Sequence, residues 1–256
     1  MPLTNFQMIL LAIALYIVFR IIRARWRNDR LNPATEPDLP LPFGQRMGWI
    51  AVNTENTSNV ARAIGISKKE QANWRGGLET VYHPANGANK VFVSPPLNGW
   101  TFIIGTAIPF PAGEKLADNC TPVLTDLGDQ FRDVQYYFAD EELGFFAWAR
   151  LRNGKIGRAF AWGDEGIIWN RGRATKEERA LGLRPLETQT AKVEERASAL
   201  QRLVYPSEDH VHRLAGAWSI NPMDIKFLET TTGTGFIGTP PASWRKQDAG
   251  RKQESH

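Results

Sequence analysis

Five carboxylates, Asp140, Glu141, Glu142, Asp164 and Glu165, fall at two places in the chain that one β-hairpin would bring together. So many like charges side by side repel one another until a ligand relieves them. Two ligands fit that chemistry: a cation held by oxygen ligands, or a basic protein surface. The competing reading is a pair of solvated loop ends.

Other residue patterns that resemble chemical motifs fit their contexts poorly. Gly233, Gly235 and Gly238 in TTTGTGFIGTPP have the G-x-G-x-x-G spacing, but Pro240 and Pro241 follow. No helix can then supply the N-terminus that cradles a phosphate. His210 and His212 in SEDHVH would converge on a metal only from a strand, whereas Ser207 predicts a helix start, from which side chains two apart diverge. His83 in YHPANG stands in a turn without a Ser or Cys nucleophile pattern nearby. Cys120 is the only cysteine, which excludes an intramolecular disulfide and a cysteine-based zinc site and suits a reducing compartment. No cofactor and no metal is expected. A metal-dependent or hydrolytic enzyme, built on the acidic cluster with His83 or His210, stands as the alternative to a binding role.

The element that must position the carboxylates is GFFAWARLRNGKIGRAFAW, residues 144–162. Asn153-Gly154 is the favoured two-residue type I′ loop, since both positions take positive φ. A regular register from that loop sets Arg152 against Lys155, Leu151 against Ile156, Trp148 against Ala159, Ala147 against Phe160 and Phe146 against Ala161. It puts Phe145, Ala147, Ala149, Phe160 and Trp162 on one face, and Phe146 and Trp148 on the other. Two apolar faces imply a central hairpin or a face awaiting a partner. Arg150, Arg152, Lys155 and Arg158 collect at the turn end, and the carboxylates at the opposite end.

Around the hairpin, helices and strands are mixed. Strand signals cover Val91 to Val93, Trp100 to Gly105, Val134 to Phe138, Gly144 to Leu151, Ile156 to Trp162 and Ile167 to Asn170. Capping-box patterns at Ser67–Glu70 and Thr175–Glu178 predict one helix running to about Thr80 and one short helix. Further helices are expected from about Lys115 to Phe131, 190 to 203 and 208 to 217. No strand–helix–parallel strand alternation occurs, so the fold class is α+β, a mostly antiparallel sheet with packed helices. Of the nine tryptophans, Trp148, Trp162 and Trp100 fall on strands and belong to the core. Trp49, Trp74 and Trp169, if exposed, would anchor a partner.

Ahead of this domain, Leu3 to Ile22 supplies twenty residues, about 30 Å of helix and enough to cross a bilayer core. It is apolar on every face, which disfavours an amphipathic core helix. A secretory signal would need positive charge before the run and a small-residue cleavage site after it, and neither is present. Arg20, Arg23, Arg25, Arg27 and Arg30 follow the run with no Lys or Arg before it. This asymmetry predicts a single-pass anchor with the bulk of the chain in the cytoplasm. The arginines would meet anionic lipid headgroups at about 1 kcal/mol each. The chain holds 31 basic and 27 acidic residues; without the five arginines and Asp29 of this segment, 26 of each remain. The pI of 9.3 therefore comes from the collar, and nothing in the composition of the remainder asks for nucleic acid. The expected layout is an anchor and collar at 1–30, a proline-rich spacer at 31–42, a globular domain at 43–238 and a polar, disordered tail at 239–256.

WTFIIGTAIP, residues 100 to 109, and FFAWARLRNGKIGRAFAWGDEG, residues 145 to 166, resemble strings in bacterial proteins similar to immunity proteins of interbacterial toxins. The resemblance covers the middle of the chain. It implies a non-catalytic module at the bacterial inner membrane whose protein partner is a toxin neutralised by occlusion. It carries over no functional residue; the residues that the hairpin and the tryptophans themselves offer for such a contact are Asp140, Glu141, Glu142, Asp164, Glu165 and Trp169. An envelope scaffold is the weaker variant of the same binding role.

Overall fold

The computed structural model describes Tyr16 and residues 34–85, 87–111, 120–164, 166–183 and 205–244. The expected anchor, its arginine collar, residues 115–119 of the helix from Lys115, the helix at 190 to 203 and the tail beyond Trp244 lie outside the described residues. Among the described residues, no helix is long and apolar enough to cross a membrane.

Residues from Pro33 onward form one compact unit. Its strands are β1 (Met47–Val52), β2 (Ser67–Asn73), β3 (Val91–Val93), β4 (Thr101–Gly105), β5 (Asp133–Asp140), β6 (Phe145–Arg152), β7 (Lys155–Gly163), β8 (Gly166–Arg171) and β9 (Thr234–Thr239). They make one sheet in the order β2-β9-β3-β4-β1-β5-β6-β7-β8, with every pair antiparallel. Among the described residues, five α-helices accompany it: α1 (Thr57–Ala63), α2 (Trp74–Tyr82), α3 (Cys120–Gly128), α4 (Lys176–Ala180) and α5 (Glu208–Trp218). The α+β class with a mostly antiparallel sheet is thus observed.

Both faces of the sheet are covered. On the first, α2 lies over β3, β4 and β9, α5 lies over β5 and β6, and α4 packs against α5. Their core contains Phe43, Trp49, Trp74, Phe92, Trp148 and Phe160. On the second face α1 and α3 close a core containing Ile50, Ile103, Leu124, Val134, Tyr136 and Leu151. This explains why the hairpin strands carry apolar residues on both sides: a sheet buried on both faces needs near-continuous hydrophobic strands.

The hairpin departs from the regular register. Arg152↔Lys155 and Leu151↔Ile156 pair as expected, but a register shift follows, and the next pairs are Arg150↔Arg158, Ala149↔Ala159, Trp148↔Phe160, Ala147↔Ala161 and Phe146↔Trp162. Gly157 is the extra residue of a β-bulge. One inserted residue exchanges the faces of everything beyond it. Phe160 and Trp162 therefore join Phe146 and Trp148 on the first face, and Trp148 stacks on Phe160 with centroids 4.7 Å apart. Large meets large here, and Ala147, Ala149, Ala159 and Ala161 lie together on the second face. A further shift between β7 and β8, at Ile168, turns both Ile168 and Trp169 to the second face.

Three segments differ from their sequence expectation. Ser67 to Asn73 is the edge strand β2, and the helix starts only at Trp74. The Ser67 hydroxyl donates to Thr239 O of β9, so the apparent capping box is spent on the sheet. Asn73 caps α2 instead: its Oδ1 accepts from Gly76 N at 2.8 Å, while the Asp38 carboxylate accepts from Trp74 N at 2.7 Å and Arg75 N at 2.9 Å. Asp38 belongs to the proline-rich stretch, whose described part, from Ala34, does not stand off as a spacer. Ala34 O and Glu36 O accept hydrogen bonds from the backbone and side chain of Asn73, and Asp38 O accepts from Gly233 N. At the start of the expected tail, residues 240–244 pack onto the domain, with Trp244 buried in the second core.

The glycine triplet is likewise structural. Gly235 and Gly238 lie in β9, and a Cβ on Gly235 would stand 2.0 Å from Val93 O. Only glycine lets β9 approach β3 this closely.

Candidate functional site

Asp140 ends β5 and Phe145 begins β6, so residues 141–144 form the turn between them. Asp140 Oδ1 accepts from Glu142 N at 3.0 Å and Leu143 N at 3.1 Å, folding the turn on itself. That leaves Leu143 62% exposed at the tip. Asp164, between β7 and β8, has its Oδ1 3.6 Å from a Cβ built on Gly144, which brings it to the same rim. The structure therefore assembles Asp140, Glu141, Glu142 and Asp164, and Glu165 lies outside the described residues.

Two groups join this rim that the sequence reading did not include. Glu142 pairs with Arg46 at 2.6 Å, both side chains being exposed. Glu208, the first residue of α5, has its carboxyl pushed above the ordinary range by burial, then by the nearby Glu141 and Asp140. A side-chain hydrogen bond with Gln45 and the charge of Arg46 oppose that rise. Burial is the main cause of the rise, and the carboxylates of Glu141 and Asp140 add to it.

Beneath the rim, residues 44–46 are clamped from two helices. Gly44 N donates to the Tyr82 hydroxyl of α2 at 3.3 Å, and that hydroxyl donates to Gln45 O at 3.2 Å. His212 of α5 is buried, stacks on Trp49 with centroids 5.5 Å apart, and places Nε2 3.2 Å from Gly44 O. A carbonyl accepts only, so Nε2 carries the proton. Gly44 has φ +103, and a Cβ there would stand 3.0 Å from His212 Nε2; the clamp needs glycine on both counts. Burial pushes the His212 pKa down, against the pull of the Gly44 carbonyl, Asp209 and Asp224. A base with a depressed folded-state pKa gives stability that is complete above its unfolded pKa, about 6.5. That contribution is lost as pH falls toward the folded value. His212→Gln is expected to flatten this part of the stability profile below about pH 6.5, measured by denaturant midpoints across pH. Glu208 acts in the opposite sense, because protonating a raised carboxyl favours the fold.

The remaining candidates do not reach the rim. His210 Nδ1 lies 2.8 Å from the Ser207 hydroxyl at the cap of α5, and His83 Nδ1 accepts from Ala85 N in its own turn. Among the described residues, no three of His, Cys, Asp and Glu are grouped to hold a metal ion. Trp49, Trp74 and Trp169 are all buried, so Trp169 is not an exposed anchor. Its burial follows from the β8 bulge, which points it into the second core.

Arg158, expected with the solvated cations of the hairpin turn, is instead almost fully buried. Its Nε pairs with Glu178 at 2.8 Å, and its Nη1 donates to Asn170 Oδ1 at 2.7 Å. Glu178 also accepts from Trp148 Nε1 at 2.9 Å and from Thr175 N at 2.8 Å. The capping box foreseen at Thr175–Glu178 is present, and the same glutamate anchors a core arginine. The Gly157 bulge caused the misreading, since it turns Arg158 to the first face.

No family model matches the chain, and no curated protein or solved structure matches it either.

Proposed function

We propose that this chain is a non-catalytic, membrane-tethered protein-binding module, of the kind that neutralises a bacterial toxin by occluding it. The observation that carries this reading is the rim at the β5–β6 turn. An exposed leucine stands among Asp140, Glu141, Glu142 and Asp164, beside Glu208, whose carboxyl is raised by burial and further by Glu141 and Asp140. An apolar tip ringed by four carboxylates, one of them paired with Arg46, suits a basic protein surface with an apolar pocket. Binding would bury Leu143 and relieve the repulsion together. The turn itself is held in shape by Asp140, and the chain beneath it by Tyr82 and His212, so little ordering entropy is lost on docking. In this reading the segment from Leu3 to Ile22 is a single inner-membrane span, and the arginine collar holds the domain on the cytoplasmic side.

The test is titration calorimetry of the full chain against the product of the adjacent gene. One-to-one binding is expected. Glu141→Lys with Leu143→Asp should weaken it by about 2 kcal/mol or more, the scale of an interface hot spot. Unchanged binding by that variant would remove the rim from the interface. The enzyme reading predicts instead an activity lost on replacing Glu142 or Asp164.

A further inference from the structure

The charges that balance over the folded part are not evenly spread in space. Arg152 and Lys155 face each other across the β6–β7 turn. On the neighbouring strand, Arg171 pairs with Ala159, and the chain then passes so close to β7 that a Cβ on Gly172 would lie 2.1 Å from Gly157 O. That contact carries Arg173 alongside the start of β7, where Lys155 stands. The next turn of chain is α4, with Lys176 and Arg179, the latter donating to Ala174 O. All six of these cations are exposed.

The carboxylates on the same elements are largely taken. Asp133 is held by Arg150 at 2.6 Å and by Arg152 at 3.3 Å, and Glu178 is buried with Arg158. Glu177 approaches Lys176 at 3.8 Å, and Asp129 sits beside Gly154. An excess of positive charge remains along β6–β8 and α4, on a domain whose composition is neutral. None of the exposed large hydrophobic residues lies on these elements. A binder of single-stranded nucleic acid needs aromatic platforms for its bases, whereas a diffuse anionic plane needs only cations.

We propose that this basic rim rests on the anionic headgroups of the membrane to which the chain is tethered, leaving the acidic rim free for its partner. The inference rests on the membrane tether of the proposed function. Each cation at such a surface contributes about a fivefold gain in the contact equilibrium.

The experiment uses the full chain with vesicles containing phosphatidylglycerol or pure phosphatidylcholine. Ala180→Cys, at the exposed end of α4, and Leu143→Cys, on the acidic rim, each receive a fluorophore, with Cys120, buried, left in place. The label at 180 should be quenched by spin-labelled lipid in the phosphatidylglycerol vesicles. It should be free in phosphatidylcholine and in 1 M salt, where the screening length is about 3 Å. The label at 143 should stay unquenched throughout. Arg152→Gln with Arg173→Gln should lower the contact equilibrium roughly 25-fold.

A chain that floats with vesicles in 1 M salt, yet keeps the 180 label unquenched at low salt, retains the tether and overturns the rim contact. Flotation and quenching confined to low salt would sustain the rim contact while removing the tether. No flotation under any condition removes both. An oligonucleotide bound at the same ionic strength, with the 180 label unquenched by lipid, would overturn the membrane assignment in favour of nucleic acid.

Discussion

Replacing Glu178 by leucine is expected to cost about 3–5 kcal/mol of stability, since it leaves the guanidinium of Arg158 buried without a countercharge. The glutamate serves three partners at once. It takes the Arg158 Nε, the Trp148 indole N–H and the Thr175 backbone N–H, so its loss also strands a buried donor in the core and removes one of the two hydrogen bonds of the α4 capping box. Arg158 has no slack to absorb the change: its Nη2 is already buried without a hydrogen-bond partner. Removing both charges, as in Arg158→Met with Glu178→Leu, should recover much of the loss, because an apolar pair of similar volume needs no desolvation. Equilibrium denaturation of the single and double variants measures the difference. A single variant within about 1 kcal/mol of the parent would place this pair among those that contribute little.

Replacing Phe160 by alanine is expected to cost a similar amount, about 3–5 kcal/mol. The Gly157 bulge turns Phe160 onto Trp148, with ring centroids 4.7 Å apart, and truncation leaves a cavity in a core closed from two sides. Deleting Gly157 should by contrast be tolerated. Arg158 would then follow Ile156 directly, and the Asn153-Gly154 turn would set Arg150↔Arg158, Trp148↔Phe160 and Phe146↔Trp162 in a regular register with the same faces. Equilibrium denaturation and the near-ultraviolet circular dichroism of the stacked Trp148–Phe160 pair measure both variants. A Phe160→Ala variant within about 1 kcal/mol of the parent, or a Gly157 deletion that loses the aromatic signal, would contradict this account of the hairpin.

The hairpin also shows where the sequence was legible. Its turn, its strands and its antiparallel partners could be read because Asn-Gly and alternating bulky residues act locally. The bulge could not, since glycine at 157 is equally at home in a regular strand, and only the neighbours of Phe160 decide. Strands β1 and β9 passed unread for different reasons. MGWIAV is a short apolar run without alternation, which periodicity alone does not assign to a strand, while TGFIGT carries the glycines that usually mark a loop. Ser67–Glu70 spelled a helix cap that tertiary pairing with β9 overrode, and the true cap, Asn73, is completed by Asp38, thirty-five residues earlier.

The acidic rim was partly legible. The hairpin alone brought Asp140 to Glu142 near Asp164, because both lie at its open end. Arg46, Tyr82, Glu208 and His212 could not be assigned to it from sequence, since each arrives from a distant element and none carries a motif. Serine at 207 followed by two acids signals the start of α5, but not that Glu208 would end beside Glu141. The hydrophobic run at Leu3 to Ile22 is a separate matter. It rests on length, apolarity and the arginines that follow it, and its role in the proposal stands on those.

The most direct test of the account is hydrogen exchange on the full chain, alone and with the adjacent-gene product bound. Slowed exchange is predicted at the amides of residues 141–144, which form the β5–β6 turn, and at the first turn of α5. The strands β6 to β8 at their basic end should keep their free-chain rates. Protection confined to that basic end, with the β5–β6 turn exchanging as in the free chain, would contradict the assignment of the acidic rim as the docking surface.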